Sequence, residues 1–326
     1  SLVSNLPERT LLWRIVQDHV NKDLLFLGTE FGVYFTVDGG GKWVKITGNA
    51  PTISFRDLAI HKRENDLVGA TFGRGFYVLD DYAPLREVTE EKLEQEASLF
   101  PVRDAWWYNP RTPLGRSKKG SQGEALFVAE NPPFGAVFTL YLKEDIPTLK
   151  EERQKREKEL QEQDADIPFP GWEELDEETN QEKPVLWLTV KDNEGKVVRK
   201  LEAPVKKGFQ RVAWDLRHAV SQPITGDNVE REGRGFMVMP GTYTVSMSRE
   251  VDGVVTELDG PVEFIVKPMR KGTLQGASYG EIEVFLTELD EFRADLSIMG
   301  ITLRENMEKA RLMEVALERA PTAPGE

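Results

Sequence analysis

The sequence contains no cysteine. That absence excludes a disulfide framework, a zinc–thiolate centre and a thiol nucleophile, without fixing the compartment. Histidine is also scarce, with only His19, His61 and His218. No His-x-x-x-His spacing, Gly-x-Ser-x-Gly elbow or phosphate-binding glycine loop is present. Neither a metal nor a cofactor is therefore expected. Long apolar runs are missing too. The longest are strand-sized, such as 136–142, whereas a bilayer helix needs about 20 apolar residues, so no membrane span is predicted. Positive charge is in the minority, with 42 Lys and Arg against 56 Asp and Glu, a net charge of −14. A general nucleic-acid binder needs a basic face, so that class is excluded. Ser1 is not an initiator Met, and no charged-then-apolar leader follows it, so the start reads as a processed or cut end.

What remains is enough for packed cores: 326 residues, 39% hydrophobic and 30% charged, a length that suits two or three domains. The charge is uneven. Residues 143–183 hold 15 acidic and 7 basic residues. Their first half has strong helix formers but only Leu149 and Leu160 as apolar points, which predicts a solvated helix held by i,i+4 pairs such as Glu152 with Arg156. The Ile-Pro-Phe-Pro-Gly-Trp run at 167–172 breaks it. This is expected to be an exposed insertion, and Phe169 and Trp172 would be its anchors if it docks a partner.

The first 90 residues carry a repeat. Arg14, His19 and Thr29 recur 42 positions later as Arg56, His61 and Thr71. After one extra residue, Gly32, Tyr34 and Asp38 recur 43 later as Gly75, Tyr77 and Asp81. Each unit reads as short strands with polar turns. A β-repeat of this period predicts propeller blades. Two blades cannot close a ring, so the chain is expected to be the C-terminal part of a longer protein, its remaining blades supplied by the same protein or by a companion chain.

The turn of the first unit, Thr36-Val37-Asp38-Gly39-Gly40-Gly41-Lys42-Trp43, resembles the Asp-box of BNR-repeat propellers, a group that includes sialidases, xyloglucanases and the sortilin ectodomain. Thr36, Asp38, Gly40 and Trp43 match, and Lys42 stands where Thr is usual. The resemblance implies a structural hairpin on the propeller's periphery. The stretches 29–43 and 61–81 together resemble large secreted bacterial proteins labelled glycosyl hydrolase or sortilin-like, over roughly residues 10–270. That implies a secreted, periplasmic or cell-surface location in a bacterium.

From residue 98 the pattern changes to hairpin-spaced strands up to about 270, predicting an immunoglobulin-like sandwich. The segments 188–201, 208–217 and 239–247 resemble the FlgD-like module found at the C-termini of bacterial secreted enzymes, which makes Trp214 and Tyr243 core residues. Upstream, Trp106, Trp107 and Tyr108 are adjacent. On a strand, Trp106 and Tyr108 would share one face and Trp107 the other. They are candidate ligand contacts, with packing between units as the alternative. Residues 276–320 show helical spacing and are expected to form two antiparallel helices separated at Gly300.

The expected architecture is thus mainly β: last propeller blades over 1–90, a sandwich over 98–270 with the helical insertion 143–183, and a C-terminal helical pair over 276–320. The most site-like blade residue is Arg74, between Gly73 and Gly75. The functional expectation is a non-catalytic binding or scaffold portion presenting a peptide or glycan surface. The alternatives are part of a glycoside hydrolase whose catalytic carboxylates lie in other blades, and an assembly component docking through the insertion.

Overall fold

The computed structural model describes residues 5–110, 127–225, 233–270, 272 and 276–322. The chain is mainly β. Strands β1 (Leu12–Gln17), β2 (Leu25–Thr29), β3 (Gly32–Thr36) and β4 (Val44–Lys45) form an antiparallel meander in that order. Strands β5 (Phe55–His61), β6 (Asp66–Thr71) and β7 (Phe76–Leu79) repeat it. The 42–43-residue offset read from the sequence is the offset between these two blades.

Packing between the blades follows from strand alternation. Leu24, Phe26 and Val33 of the first blade share a core with Phe55, Leu58 and Leu67 of the second. Gly28 lets the two sheets approach, and Gly69 makes room for the Phe55 ring within the second blade. A Cβ on Gly28 would sit 2.7 Å from the Phe55 carbonyl oxygen, and one on Gly69 would sit 2.7 Å from the Phe55 ring. The first blade's other face is covered by Trp43, Tyr34 and Leu6. The second blade's other face is not covered: Phe76 and Val78 on β7 are 75% and 54% exposed.

A 3-10 turn (Ala83–Glu87) and the short helix α1 (Glu90–Glu94) lead out of the second blade. Next come β8 (Ala97–Leu99), β9 (Ala105–Trp107), β10 (Ala136–Leu142), α2 (Leu149–Glu162), α3 (Trp172–Asn180), β11 (Val185–Asp192), β12 (Val197–Ala203), β13 (Gly208–Trp214), β14 (Gly241–Val251) and β15 (Val254–Pro268). Sheet β13-β10-β8 stacks on sheet β12-β11-β14-β15-β9 to make a β-sandwich. Along β11, Leu186, Leu188 and Val190 point inward and are fully buried. They meet Phe138 and Leu140 from the facing sheet, with Trp214 and Tyr243 in the same core. The Trp214 and Tyr243 rings meet edge-on at 5.7 Å, and the Tyr243 hydroxyl donates to the Met239 carbonyl.

The acidic insertion is helical and buries no residue of α2 or α3. Its ion pairs include the expected i,i+4 kind and add pairs between the two helices. Arg153 bridges Glu157 and Glu178, while Arg156 reaches Glu174 on the other helix rather than pairing with Glu152. The second helix returns beside the first and offers carboxylates across the gap. At the insertion's root Ile146 packs against the sandwich core.

The expected C-terminal helical pair is instead one helix, α4 (Tyr279–Arg319), of 41 residues. A single mid-helix glycine costs only about 1 kcal/mol. No proline stands beside Gly300, so this small cost does not interrupt the run. Ser278 and Glu281 close its start as a reciprocal capping box.

Candidate functional site

The Thr36–Trp43 hairpin is built as its residue types dictate. The Thr36 hydroxyl donates to Asp38 Oδ1 at 2.6 Å, and the Gly41 and Lys42 amides donate to the same oxygen at 2.8 and 3.0 Å. The Gly40 amide donates back to Thr36 Oγ1. These bonds, the Thr36 hydroxyl foremost, hold the Asp38 carboxyl below its usual range. Gly39 and Gly40 adopt φ of 70° and 103°, where a side chain would be strained. Trp43 is buried, and Asn5 fastens its backbone through both the amide and the carbonyl. Asp38 Oδ1 accepts three hydrogen bonds from within the turn, so the hairpin is organised as a staple.

A second polar centre was not legible in the sequence. Asp18 follows β1, and its side chain is fully buried. Tyr82 Oη donates to Oδ1 at 2.7 Å, and Arg86 donates to both oxygens at 2.8 and 2.9 Å. The amides of Val20 and Asn21 donate to Oδ2, and His19 Nδ1 lies 3.3 Å from Oδ1. Burial alone would raise the Asp18 carboxyl. The Arg86, Asn21 and Tyr82 hydrogen bonds outweigh it and hold the group well below the carboxylate range. Burial and the Asp18 contact push the Tyr82 phenol up. Arg86 also donates to Asn65 Oδ1. The cluster thus ties the first blade to the second and to the exit turn.

Arg74 stands exposed at the β6–β7 turn, which Thr71 closes by donating to the Gly75 carbonyl. Beside this turn lies a group the sequence reading did not single out. The Arg56 guanidinium lies 3.7 Å from the centre of the Trp13 ring and 5.2 Å from that of Phe72. Phe72 is 72% exposed, and Trp13 is also exposed. Strand β1 runs beside β5, which brings Trp13 and Arg56 together. The result is a solvent-facing aromatic–guanidinium stack, a surface able to take a sugar face, an aromatic side chain or a carboxylate.

The aromatic run at 106–108 divides as alternation requires. Trp106 and Tyr108 are exposed, and Trp107 is half-buried. Lys267 Nζ sits 4.6 Å from the Trp106 ring and bonds Asp104, so one ring face is already engaged. Tyr108 stands edge-on to Phe134 at 5.0 Å. Trp107 Nε1 donates to the Val238 carbonyl, and its ring meets Tyr279. It therefore packs between sandwich and α4, not against the blades.

Where blade and sandwich meet, Asp80, Asp81, Arg103 and Arg211 line a small cleft. Burial raises both carboxyls, and Asp66 adds repulsion at each, while Arg103 and Arg211 oppose the rise. Arg211, from β13, donates to the carbonyls of Asp80 and Asp81 at 2.7 and 2.6 Å. Arg103 donates to the Glu64 carbonyl. The arginines are clamps between the sheets. Among the described residues no group of three or more His, Asp or Glu could hold a metal, and no helix is long and apolar enough to cross a membrane.

No protein-family model and no curated protein matches this chain. Among solved structures it is similar to PorZ, an essential bacterial surface component of the type-IX secretion system of Porphyromonas gingivalis, at 13% identity over 79% of this chain, with a TM-score of 0.22. It is also similar to the extracellular domain of the two-component system protein BT4673 from B. thetaiotaomicron, at 11% identity over 81% of this chain, with a TM-score of 0.19. Both are bacterial surface or extracellular proteins, and this chain spans 23% and 26% of their lengths.

Proposed function

We propose that this chain is the non-catalytic binding or scaffold portion of a secreted bacterial propeller protein. Its two blades would be the last of a BNR-type propeller (1–90), and its sandwich (98–270) a FlgD-like module that holds them. The observation that carries the binding reading is the Trp13–Arg56–Phe72 stack, exposed at the blade turns with Arg74 alongside. Stacked aromatics are costly to leave in water and suit a peptide or glycan ligand. The uncovered β7 face supports further blades, from the same protein or a companion chain, as the partner. The three turn bonds to Asp38 Oδ1 support a structural Asp-box.

Polysaccharide affinity electrophoresis and a peptide array test the reading together with reducing-sugar release. Retention without hydrolysis, lost in Trp13→Ala at unchanged melting, is the expected result. Retention that Trp13→Ala leaves intact would remove the stack from the account. Hydrolysis of a glycan by the protein carrying its upstream blades would favour the glycoside-hydrolase alternative.

A further inference from the structure

Helix α4 carries a long row of exposed apolar side chains. Eleven positions at alternating spacings of three and four, Ile282, Phe285, Leu289, Phe292, Leu296, Met299, Leu303, Asn306, Ala310, Met313 and Leu317, are apolar at all but Asn306. This is a five-heptad a/d stripe with period 3.5, the pattern of a supercoiled pair rather than of a helix lying on a globular core. The body takes a different flank. Tyr279 meets Trp107, Glu283 meets His218 at 3.6 Å, and Asp290 accepts from Ser221, all near the helix start. The stripe is left open: Phe285, Phe292, Leu296, Met299, Leu303, Met313 and Leu317 are between 51% and 67% exposed.

We infer that this stripe pairs with the same stripe of a second copy of the chain, in an antiparallel two-stranded coiled coil. Two observations select this occupant. The repeat is self-complementary, since a 3.5-residue period needs a partner with the same period to interlock. The area suffices: each exposed phenylalanine offers roughly 120 Å², and ten apolar positions along about 50 Å of helix approach the ~800 Å² per partner of a standard interface.

Charge sets the direction. Residues 281–299 carry six acidic side chains and one basic, whereas 300–319 carry four of each. A parallel pair would set the acidic halves together, and an antiparallel pair sets each against a neutral half. Layer volumes agree. With Leu296 opposite Met299, Phe292 meets Leu303, Phe285 meets the small Ala310 and Ile282 meets Met313. A parallel pair would stack Phe on Phe in two layers and Ala on Ala in another. Asn306 would meet its own copy only in the parallel arrangement, a preference that acts at one layer of eleven.

The absence of native cysteine makes the test clean. Light scattering of the intact chain should give twice the 37.0 kDa monomer mass. Phe292→Glu should return it to monomer, and Leu312→Glu, off the stripe, should not. Phe292 is exposed in the single chain, so an unchanged circular dichroism melt will show that the variant still folds. Ile282→Cys and Met313→Cys, oxidised separately, should stay uncrosslinked, because like positions lie roughly 45 Å apart in an antiparallel pair. Mixed, they should form a disulfide. A monomeric wild type, a dimer indifferent to Phe292→Glu, self-crosslinking of either variant, or no crosslink in the mixture would overturn the inference.

Discussion

Replacing Arg86 with Met removes the guanidinium from Asp18 while keeping a long apolar side chain. Asp18 loses two charge-assisted hydrogen bonds, at 2.8 and 2.9 Å, Asn65 loses a third, and the buried carboxylate keeps Tyr82, two amides and His19 Nδ1 at 3.3 Å. Each such bond is worth about 1.5–3 kcal/mol, and removing one partner of a buried pair costs about 3–5 kcal/mol. We expect about 4 kcal/mol near neutral pH, localised to the blades. Hydrogen-exchange mass spectrometry reads this region by region, so it needs no two-state assumption for the whole chain. Amides of β2, β5 and β6 should exchange about a thousandfold faster, and those of β11 and β14 should not change. The pH dependence gives a second signature. In the wild type Asp18 lies well below its unfolded value, so its contribution is fully present above about pH 4 and is lost progressively as pH falls from there towards the folded-state value. In the variant burial dominates and raises the carboxyl, so stability falls as pH rises. The gap between the two should therefore shrink from pH 8 to pH 4. A uniform loss across both sheet pairs, no loss, or a gap that widens in acid would refute this account of the cluster.

Other substitutions separate the remaining roles. Asp38→Ala should lower blade stability by about 1–3 kcal/mol through lost turn bonds, read as faster exchange in β3 and β4 with ligand retention intact in the folded fraction. Replacing 149–181 with a short Gly/Ser linker should leave the melting temperature unchanged, whereas extending the cut to Ile146 should lower it, because that side chain packs on the core. Trp106→Ala should cost about 1 kcal/mol through the lost lysine contact, and a loss of glycan retention at that small cost would mark it as a second ligand contact. Phe76→Ser combined with Val78→Ser should reduce aggregation without lowering the melting temperature, since both side chains lie on an uncovered face.

The repeat, the hairpin and the strand alternation were legible in sequence because each depends on short spacings: a 42–43-residue period, a two-to-four-residue turn, a period of two. The Asp18–Arg86 pair spans 68 positions and leaves no local pattern. Arg211 is equally silent, since it clamps carbonyls 130 and 131 residues away. The stack of Arg56 on Trp13 and Phe72 depends on two blades lying side by side. Gly300 misled for the opposite reason: a real but small local penalty was read as a boundary, although the heptad spacing continues through it. For Arg74, Trp106 and Tyr108 the sequence indicated exposure, which the structure shares, and a ligand role, which awaits the binding tests above.

The most direct measurement compares hydrogen exchange of 66–79 in this chain with exchange of the same segment in the protein that carries the upstream repeats, or in complex with a companion chain. If β7 is the open edge of a propeller, the amides of Phe76 and Val78 should become strongly protected and the Thr36–Trp43 hairpin should not change. Equal exchange of β7 in both forms would contradict the propeller-end reading.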